Sequence, residues 1–522
     1  MLNSISWPSN VALVVVVLLL YRYFTQGEDK LAHVPRVRFE KGGNSIRRYF
    51  LEADKLLHDG YIKYIKNEQP FRLRSAIDPT KQVVVLPLKY LPEVKTATQD
   101  KISFPKFSEE SFRVQFNHGP KITEEAQNSM KAELPKNLAP MIESLQDASA
   151  IAIHNVIPEC KDWTKVRPME AIILAIIRMA HRAFAGPDLG TSQEWVDTVR
   201  DYLQRTNDAI VSSNLFFPGP LGYLAPYIDP NVRAVARIKL RFAELLKPTY
   251  EQRLMVGRNG KEETDGLDWL ITAAKKGPKT IDGMVNDLGF LTIASVETTA
   301  STTLNIIYDL LDRPDDYEKI LDEIKTVQDA NGTRWTKKAL DELELLDSFM
   351  KESQRLRPLG MGLYTLPSPA QVSPTNAAHT GAVHRSTKVD YTFKDGFTIP
   401  ADTQILFPTH EICHDDDFYP DAATFDAERF LRMRRTIDRN KFQFSYISDQ
   451  YITFGAGSHA CPGRAFASAE IKLMLVHILQ RWEIRYAAGK RPAPVHVAFS
   501  RIPDAKADLL FKEKESWRAA CH

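Results

Sequence analysis

The sequence predicts a mainly α protein with a smaller β portion, folded as one large domain behind an apolar N-terminal segment. Three observations carry this. From about residue 123 to 356 apolar residues recur at helical spacing, broken by a Pro/Gly-rich loop over 217–230. Short β-branched or alternating runs bracket that stretch, at 71–87 and 389–407. Neither an internal repeat nor a linker-like change of composition divides residues 26–522.

The bulk numbers narrow the function classes. A chain of 522 residues that is 43% hydrophobic buries a large core, and its net charge of +2 is interspersed, which argues against a nucleic-acid partner. Its four cysteines (Cys160, Cys413, Cys461, Cys521) show neither metal nor disulfide spacing, a pattern suited to a reducing compartment. At the N-terminus residues 11–20 are unbroken apolar sequence, extendable to 5–24, close to the roughly 20 residues that span a bilayer. Pro8, Ser9 and Asn10 weaken its first half. No Lys or Arg precedes it, while Arg22, Lys30, Arg36, Arg38 and Lys41 follow, so the charge bias places the body of the protein in the cytosol. A cleaved signal would need a basic start and a small-residue cleavage site, and neither is convincing. The expectation is a single-pass anchor over 1–25, and Asn331-Gly332-Thr333 then reads as a turn rather than a glycosylation site.

The elements follow in order. Phe71-Arg72-Leu73-Arg74 and the Val83-Val84-Val85 run read as strands joined through Asp78-Pro79. The longest helical pattern covers 281–313 and stops at Pro314. At its centre, Ala294 and Ser295 leave room for a planar ligand or dioxygen. Glu297 stands in an apolar, hydroxyl-rich run, where burial is costly unless the acid is hydrogen-bonded or moves protons. The plainer reading is a helix whose hydroxyls, Thr298 included, bond back to its own carbonyls. A helix starting near Leu343 carries Glu352 and Arg355 on one face, a pair worth only about a few tenths of a kcal/mol if it lies on the surface. Residues 362–382 are rich in Pro, Ser, Thr, Ala and Gly, without a period, which is uncommon inside a compact domain. The codons for Gly362, Thr375-Asn376 and His379-Thr380-Gly381 could supply donor, branch and acceptor sites. The segment therefore reads as a natural loop or as a retained intron whose removal would rejoin Gly360-Met361 to Val383-His384-Arg385.

Farther on, Asp395-Gly396 signals a hairpin. His410-Glu411-Ile412-Cys413-His414 satisfies the zinc-protease pattern, but Asp415-Asp416-Asp417 and Tyr419-Pro420 cut short the helix it needs. The basic run 432–441 is a solvated face or a steering surface for an acidic partner. Last comes Phe454-Gly455-Ala456-Gly457-Ser458-His459-Ala460-Cys461-Pro462-Gly463-Arg464. Tyr451-Ile452-Thr453-Phe454 before it reads as a strand end, and 465–482 after it as a helix with Pro462 at the first helical position. Cys461 then sits at a helix start, where free amides favour the thiolate that can ligate haem iron. A dinucleotide loop would need a second strand and an acid about 20 residues on, where this chain has a helix instead; a buried structural cysteine is the other bland alternative.

The Phe454-x-x-Gly457-x-His459-x-Cys461-x-Gly463 frame resembles the haem-binding loop of the cytochrome P-450 superfamily in its fungal microsomal form, with Ser458 where many members have Arg. The resemblance extends in family order over most of the chain to about Ala469, and it implies the cytochrome P-450 fold. It makes Cys461 the axial ligand of haem b and sets Phe454, Gly455 and Gly463 around the cofactor. His459 and Arg385 would face the haem propionates; Lys131 is the nearest basic candidate on the earlier helix, where the usual tryptophan–basic motif is absent. Glu297 and Thr298 fall on the acid–alcohol positions of the oxygen-activating helix, with Ser295 replacing the more usual Gly. Glu352, Arg355 and Arg429 match the structural triad. The implied function is a membrane-anchored haem-thiolate monooxygenase of the endoplasmic reticulum with a cytosolic catalytic domain. It would be fed by NADPH-cytochrome P-450 reductase and would oxidise an apolar small molecule of terpenoid, indole or polyketide type. Its details look weakly like the ent-kaurene oxidase group. The alternatives are a haem-thiolate isomerase or dehydratase, against which Glu297-Thr298 argues, and a catalytically impaired haem-binding paralogue.

Overall fold

Thr280 opens the central helix of the molecule by accepting a hydrogen bond from Gly283 N at 3.1 Å, the side-chain cap that a helix start needs. In the computed structural model, which describes residues 29–41, 43–75, 81–217, 219–256, 264–274, 277–359, 381–497 and 500–520, this helix runs Ile281–Leu311. It ends two residues before the expected limit, and Pro314 starts the next helix instead of merely stopping this one.

The helices that matter to the site are α1 (Ile46–Lys63), α2 (Phe104–Phe112), α3 (Glu124–Val156), α4 (Pro168–Phe184), α5 (Gln193–Phe216), α6 (Pro230–Val256), α7 (the central Ile281–Leu311), α8 (Glu344–Leu356) and α9 (Arg464–Arg481). Thr123, where the helical stretch begins, caps α3 by accepting from Ala126 N. Helix α7 packs against α4, α5, α6, α8 and α9, and the apolar faces of these helices form the larger core. One buried polar chain fixes three of them. Trp195 Nε1 on α5 donates to His181 Nδ1 on α4 at 3.1 Å, and His181 Nε2 lies 3.0 Å from Thr292 Oγ1 on α7. Thr292 spends its own proton on Leu288 O, so His181 is the neutral ring with its hydrogen on Nε2. Burial agrees, holding that imidazole down at about 3.

The smaller core lies under a five-stranded sheet. Its strands are β1 (Phe71–Arg74), β2 (Gln82–Val85), β3 (Ile102–Ser103), β4 (Ala382–Thr387) and β5 (Gln404–Phe407), in the order β1-β2-β5-β4-β3. Strands β1 and β2 pair antiparallel, Phe71 opposite Val85, while β2 and β5 run parallel. The register of β4 on β5 shifts between Ala382 and Arg385, and Val383 takes a φ of +53°. For a β-branched residue that left-handed conformation costs roughly 1–2 kcal/mol. The hairpin expected at Asp395-Gly396 is present, Tyr391–Thr392 against Thr398–Ile399, with Gly396 at φ +88°.

The sequence did not show a second antiparallel sheet of Thr164–Val166, Leu509–Glu513 and Trp482–Tyr486, whose first strand interrupts the helical stretch. Segment 111–117 is tied to the end of α5: Asn214 Nδ2 donates to Ser111 O, Asn117 Nδ2 to Ser213 Oγ, and Arg113 Nη2 to Phe217 O. Among the described residues no helix is long and apolar enough to cross a membrane. The apolar N-terminal run and most of 362–382 lie outside them.

Candidate haem site

The loop around Cys461 is closed by its own backbone. Cys461 N donates to Phe454 O at 2.8 Å and Gly455 N to Ile452 O at 2.8 Å. Two glycines make this possible: Gly455 has φ +77° and Gly457 φ +64°, and a Cβ on Gly457 would lie 2.3 Å from Lys95 O. Gly463 has an ordinary φ, so its freedom is not what the loop uses. The expected strand at 451–454 does not form, because Phe454 O is spent on Cys461 rather than on a ladder partner. Pro462 likewise is not the first helical residue; α9 begins two residues later, at Arg464.

Cys461 is partly exposed at the base of the loop. Burial pushes its thiol above the ordinary value, while the amides of Gly463 and Arg464, with the Arg464 charge, pull it down. The net direction in the protein alone is thus opposite to the helix-start expectation. The amides supply the pull expected of them, but desolvation outweighs it. A thiolate here calls for a cation at the sulfur, the role a ferric centre fills.

Beside the loop, Lys131 on α3 and Arg385 on β4 bring two cations to the imidazole of His459. Desolvation lowers Lys131, with Arg385 adding to the effect; burial brings Arg385 down to about 10 and His459 to about 4. Arg385 donates to His384 O and Ala456 O, both ring nitrogens of His459 lack a partner, and none of the three forms an ion pair among the described residues. Two cations without an anion and a neutral imidazole with both ring nitrogens unpartnered among the described residues fit the carboxylates of a haem. Phe104 at the start of α2 completes the group, its ring 5.5 Å from the Arg385 guanidinium and 6.0 Å from the His459 ring. Sequence reasoning missed it, since no motif surrounds it. Phe454 packs edge-on to Phe444 at 5.4 Å.

Helix α7 leaves Ala294 exposed and Ser295 and Thr298 half-buried, while the Glu297 carboxyl turns in toward α5. Thr298 Oγ1 donates to Ala294 O at 2.9 Å, and Thr302 and Thr303 bond back in the same way, so the plain reading of the hydroxyls holds too. Acid and alcohol are not hydrogen-bonded to each other: Glu297 Oε1 accepts from Asn207 Nδ2 on α5. Burial, with the nearby Asp208 charge adding to it against the Asn207 bond, pushes Glu297 up to about 8.

The triad is assembled. Glu352 takes Arg355 through both oxygens at 2.7 and 2.8 Å and Arg429 Nε at 3.1 Å. The arginines go on to the carbonyls of Cys413, Ala422, Pro420 and Thr424. Glu352 and Arg355 are 0% exposed, so this is a buried lock and not the weak surface pair considered from spacing. The zinc-like motif is used up locally. His410, on the five-residue helix Thr409–Cys413, and His414, its C-cap, stack with centroids 4.0 Å apart, and Glu411 lies 3.1 Å from His58. In the basic run, Arg432 pairs with Asp426, Arg434 and Arg435 with Glu344, and Lys441 with Asp438.

A helical body with a side sheet, a cysteine in a glycine-closed loop and an anion-seeking cradle define a haem-thiolate protein. The chain matches the family model for cytochrome P-450 over residues 63–365 and 376–506, and it belongs to that family. It is 38% identical to the cytochrome P-450 monooxygenase cheE of Chaetomium globosum, over 93% of this chain and 92% of that protein. With the pyrichalasin C-7 hydroxylase of Pyricularia grisea it shares 29% identity over 94% and 95%. An ent-kaurene oxidase of Gibberella intermedia is 29% identical over 90% and 85%, in keeping with the weak likeness seen in the sequence. Among solved structures, retinoic-acid-bound cyanobacterial CYP120A1 shares the fold with a TM-score of 0.65 at 17% identity, over 92% of this chain and 99% of that one. The protein is therefore a monooxygenase with haem as its cofactor.

Proposed function

We propose that this monooxygenase works at the endoplasmic reticulum membrane, takes two electrons from NADPH through NADPH-cytochrome P-450 reductase, and inserts one oxygen into an apolar small molecule of fungal secondary metabolism. The observation that carries the site assignment is the Cys461 loop beside two cations without an anion, Lys131 and Arg385, and the unpartnered imidazole of His459. Cys461 Sγ would hold the haem iron, and Lys131, Arg385 and His459 would take its propionates. Bound there, haem supplies dioxygen activation and oxygen transfer. The chain's own share is proton handling and exclusion of water. Glu297 carries a proton at neutral pH, one turn of α7 away from the unpacked Ala294 and beside Thr298, whose hydroxyl is oriented by Ala294 O.

Two further features support the reading. Phe216, Tyr223, Leu224, Tyr227 and Ile228 are exposed together in and around the loop after α5, an apolar surface suited to lipid. The names of its relatives, a pyrichalasin C-7 hydroxylase among them, favour hydroxylation of an elaborate fungal metabolite. Co-expression with a reductase followed by metabolite profiling tests the substrate class. For the site, the reduced protein with carbon monoxide should show the red-shifted Soret band of thiolate ligation, and Cys461→Ser should lose it. An unchanged band in folded Cys461→Ser would overturn the assignment.

A further inference from the structure

Asn207 lies on the buried face of α5, 4% exposed, and its Nδ2 donates to Glu297 Oε1 on α7. Glu297 Oε2 is closed to solvent and has no partner among the described residues. The two helices meet closely nearby, where a Cβ on Gly289 of α7 would lie 2.5 Å from the Tyr202 hydroxyl of α5. The Asn207 contact is therefore part of a packed interface and does not depend on a flexible side chain reaching across.

We propose that Asn207 is the positioning residue for the proton-delivering acid: it holds the Glu297 carboxyl by Oε1 and leaves Oε2 as the oxygen that carries the proton. This rests on the acid role assigned above. An amide N–H only donates, so the oxygen it binds must act as acceptor, and the proton of the neutral acid goes to the other oxygen. Since Oε2 meets no competing acceptor, that proton is kept for transfer instead of being spent within the protein. Asn207 also tempers the acid. Burial and the Asp208 carboxylate, next along α5, raise its proton affinity, and the Asn207 bond lowers it. Asp208 is in turn held by Gln204 at 3.1 Å and acted on by the Arg205 charge. No ion pair reaches Glu297 among the described residues.

The test is infrared difference spectroscopy on the haem-loaded protein across neutral pH. The protonated Glu297 carbonyl band is identified by its loss in Glu297→Gln. In Asn207→Leu, and in Asn207→Ala should the first fold poorly, the band should move to higher frequency as Oε1 loses its donor, and it should titrate at higher pH. With reductase and NADPH, peroxide release should rise toward the level of Thr298→Ala. A band unmoved in both position and titration in the Asn207 variants overturns the proposal while leaving the acid in place. Absence of any band lost in Glu297→Gln removes the acid reading itself. A lower melting temperature with an unmoved band makes Asn207 a packing residue only, which also overturns the proposal.

Discussion

At Glu297 the ordinary carboxylate value of 4.5 rises to about 8, chiefly because the side chain is desolvated between α5 and α7. The sign of the consequence follows from proton counting. Between about 4.5 and about 8 the unfolded chain has released this proton and the folded chain still holds it. The folded state binds more protons in that window, so this group's contribution to stability falls as pH rises through it and levels off above. Thermal melts of the haem-loaded protein should therefore decline less steeply with pH over that window in Glu297→Gln than in the wild type. Equal slopes would show that the acid is not held neutral. Glu297 could be singled out from sequence because an acid is conspicuous in an apolar helix. Asn207 could not, since a lone polar residue in a helical stretch is ordinary. Its signal was positional: it shares a helical face with Leu203 and Ile210, both buried.

Among the elements, α8 shows what spacing can and cannot reveal. The i, i+3 rule puts Glu352 against Arg355, but only the wrap of segment 413–429 over them decides that they are buried. With both side chains 0% exposed, removing the acid strands two guanidinium groups. Glu352→Ala is expected to cost about 3–5 kcal/mol. It should appear as loss of the thiolate–carbon monoxide band on warming at a much lower temperature than in the wild type; a melt within a degree or two would contradict the buried lock. The Cys461 loop was misread for a related reason. Tyr451-Ile452-Thr453-Phe454 has strand chemistry, yet a tertiary contact, Cys461 N to Phe454 O, takes the carbonyl a strand would need.

For the whole molecule, the helical body and strands β1, β2 and β5 were legible from their period or their β-branched runs, while β3 and β4 were not read. The second sheet was missed too, as Thr164–Val166 and Leu509–Glu513 are far apart in the chain and too short to declare themselves. Nor did the sequence show that the Pro/Gly-rich loop beyond α5 gathers its apolar side chains outward. If that surface meets lipid, a protein starting at residue 29 should still co-sediment with phospholipid vesicles. Replacing Tyr223, Leu224, Tyr227 and Ile228 by Ser should then release it. Failure of the protein starting at residue 29 to sediment, or equal sedimentation of both proteins, would show that this surface does not hold lipid.

The left-handed Val383 has a meaning for the gene as well as for the fold. It lies two residues before Arg385, at the point where β4 loses register with β5, and directly after residues 362–382. The family match is itself interrupted nearby, between 365 and 376. Removing this stretch as an intron would rejoin Gly360-Met361 to Val383-His384-Arg385 and bring Arg385 to its cradle on a short connection from α8. Expressed beside the full chain, the shorter one should carry more haem per polypeptide, and Val383 should be free to return to an extended conformation. Equal haem content, with only the longer message in mature RNA, would make the segment a fixed part of the enzyme.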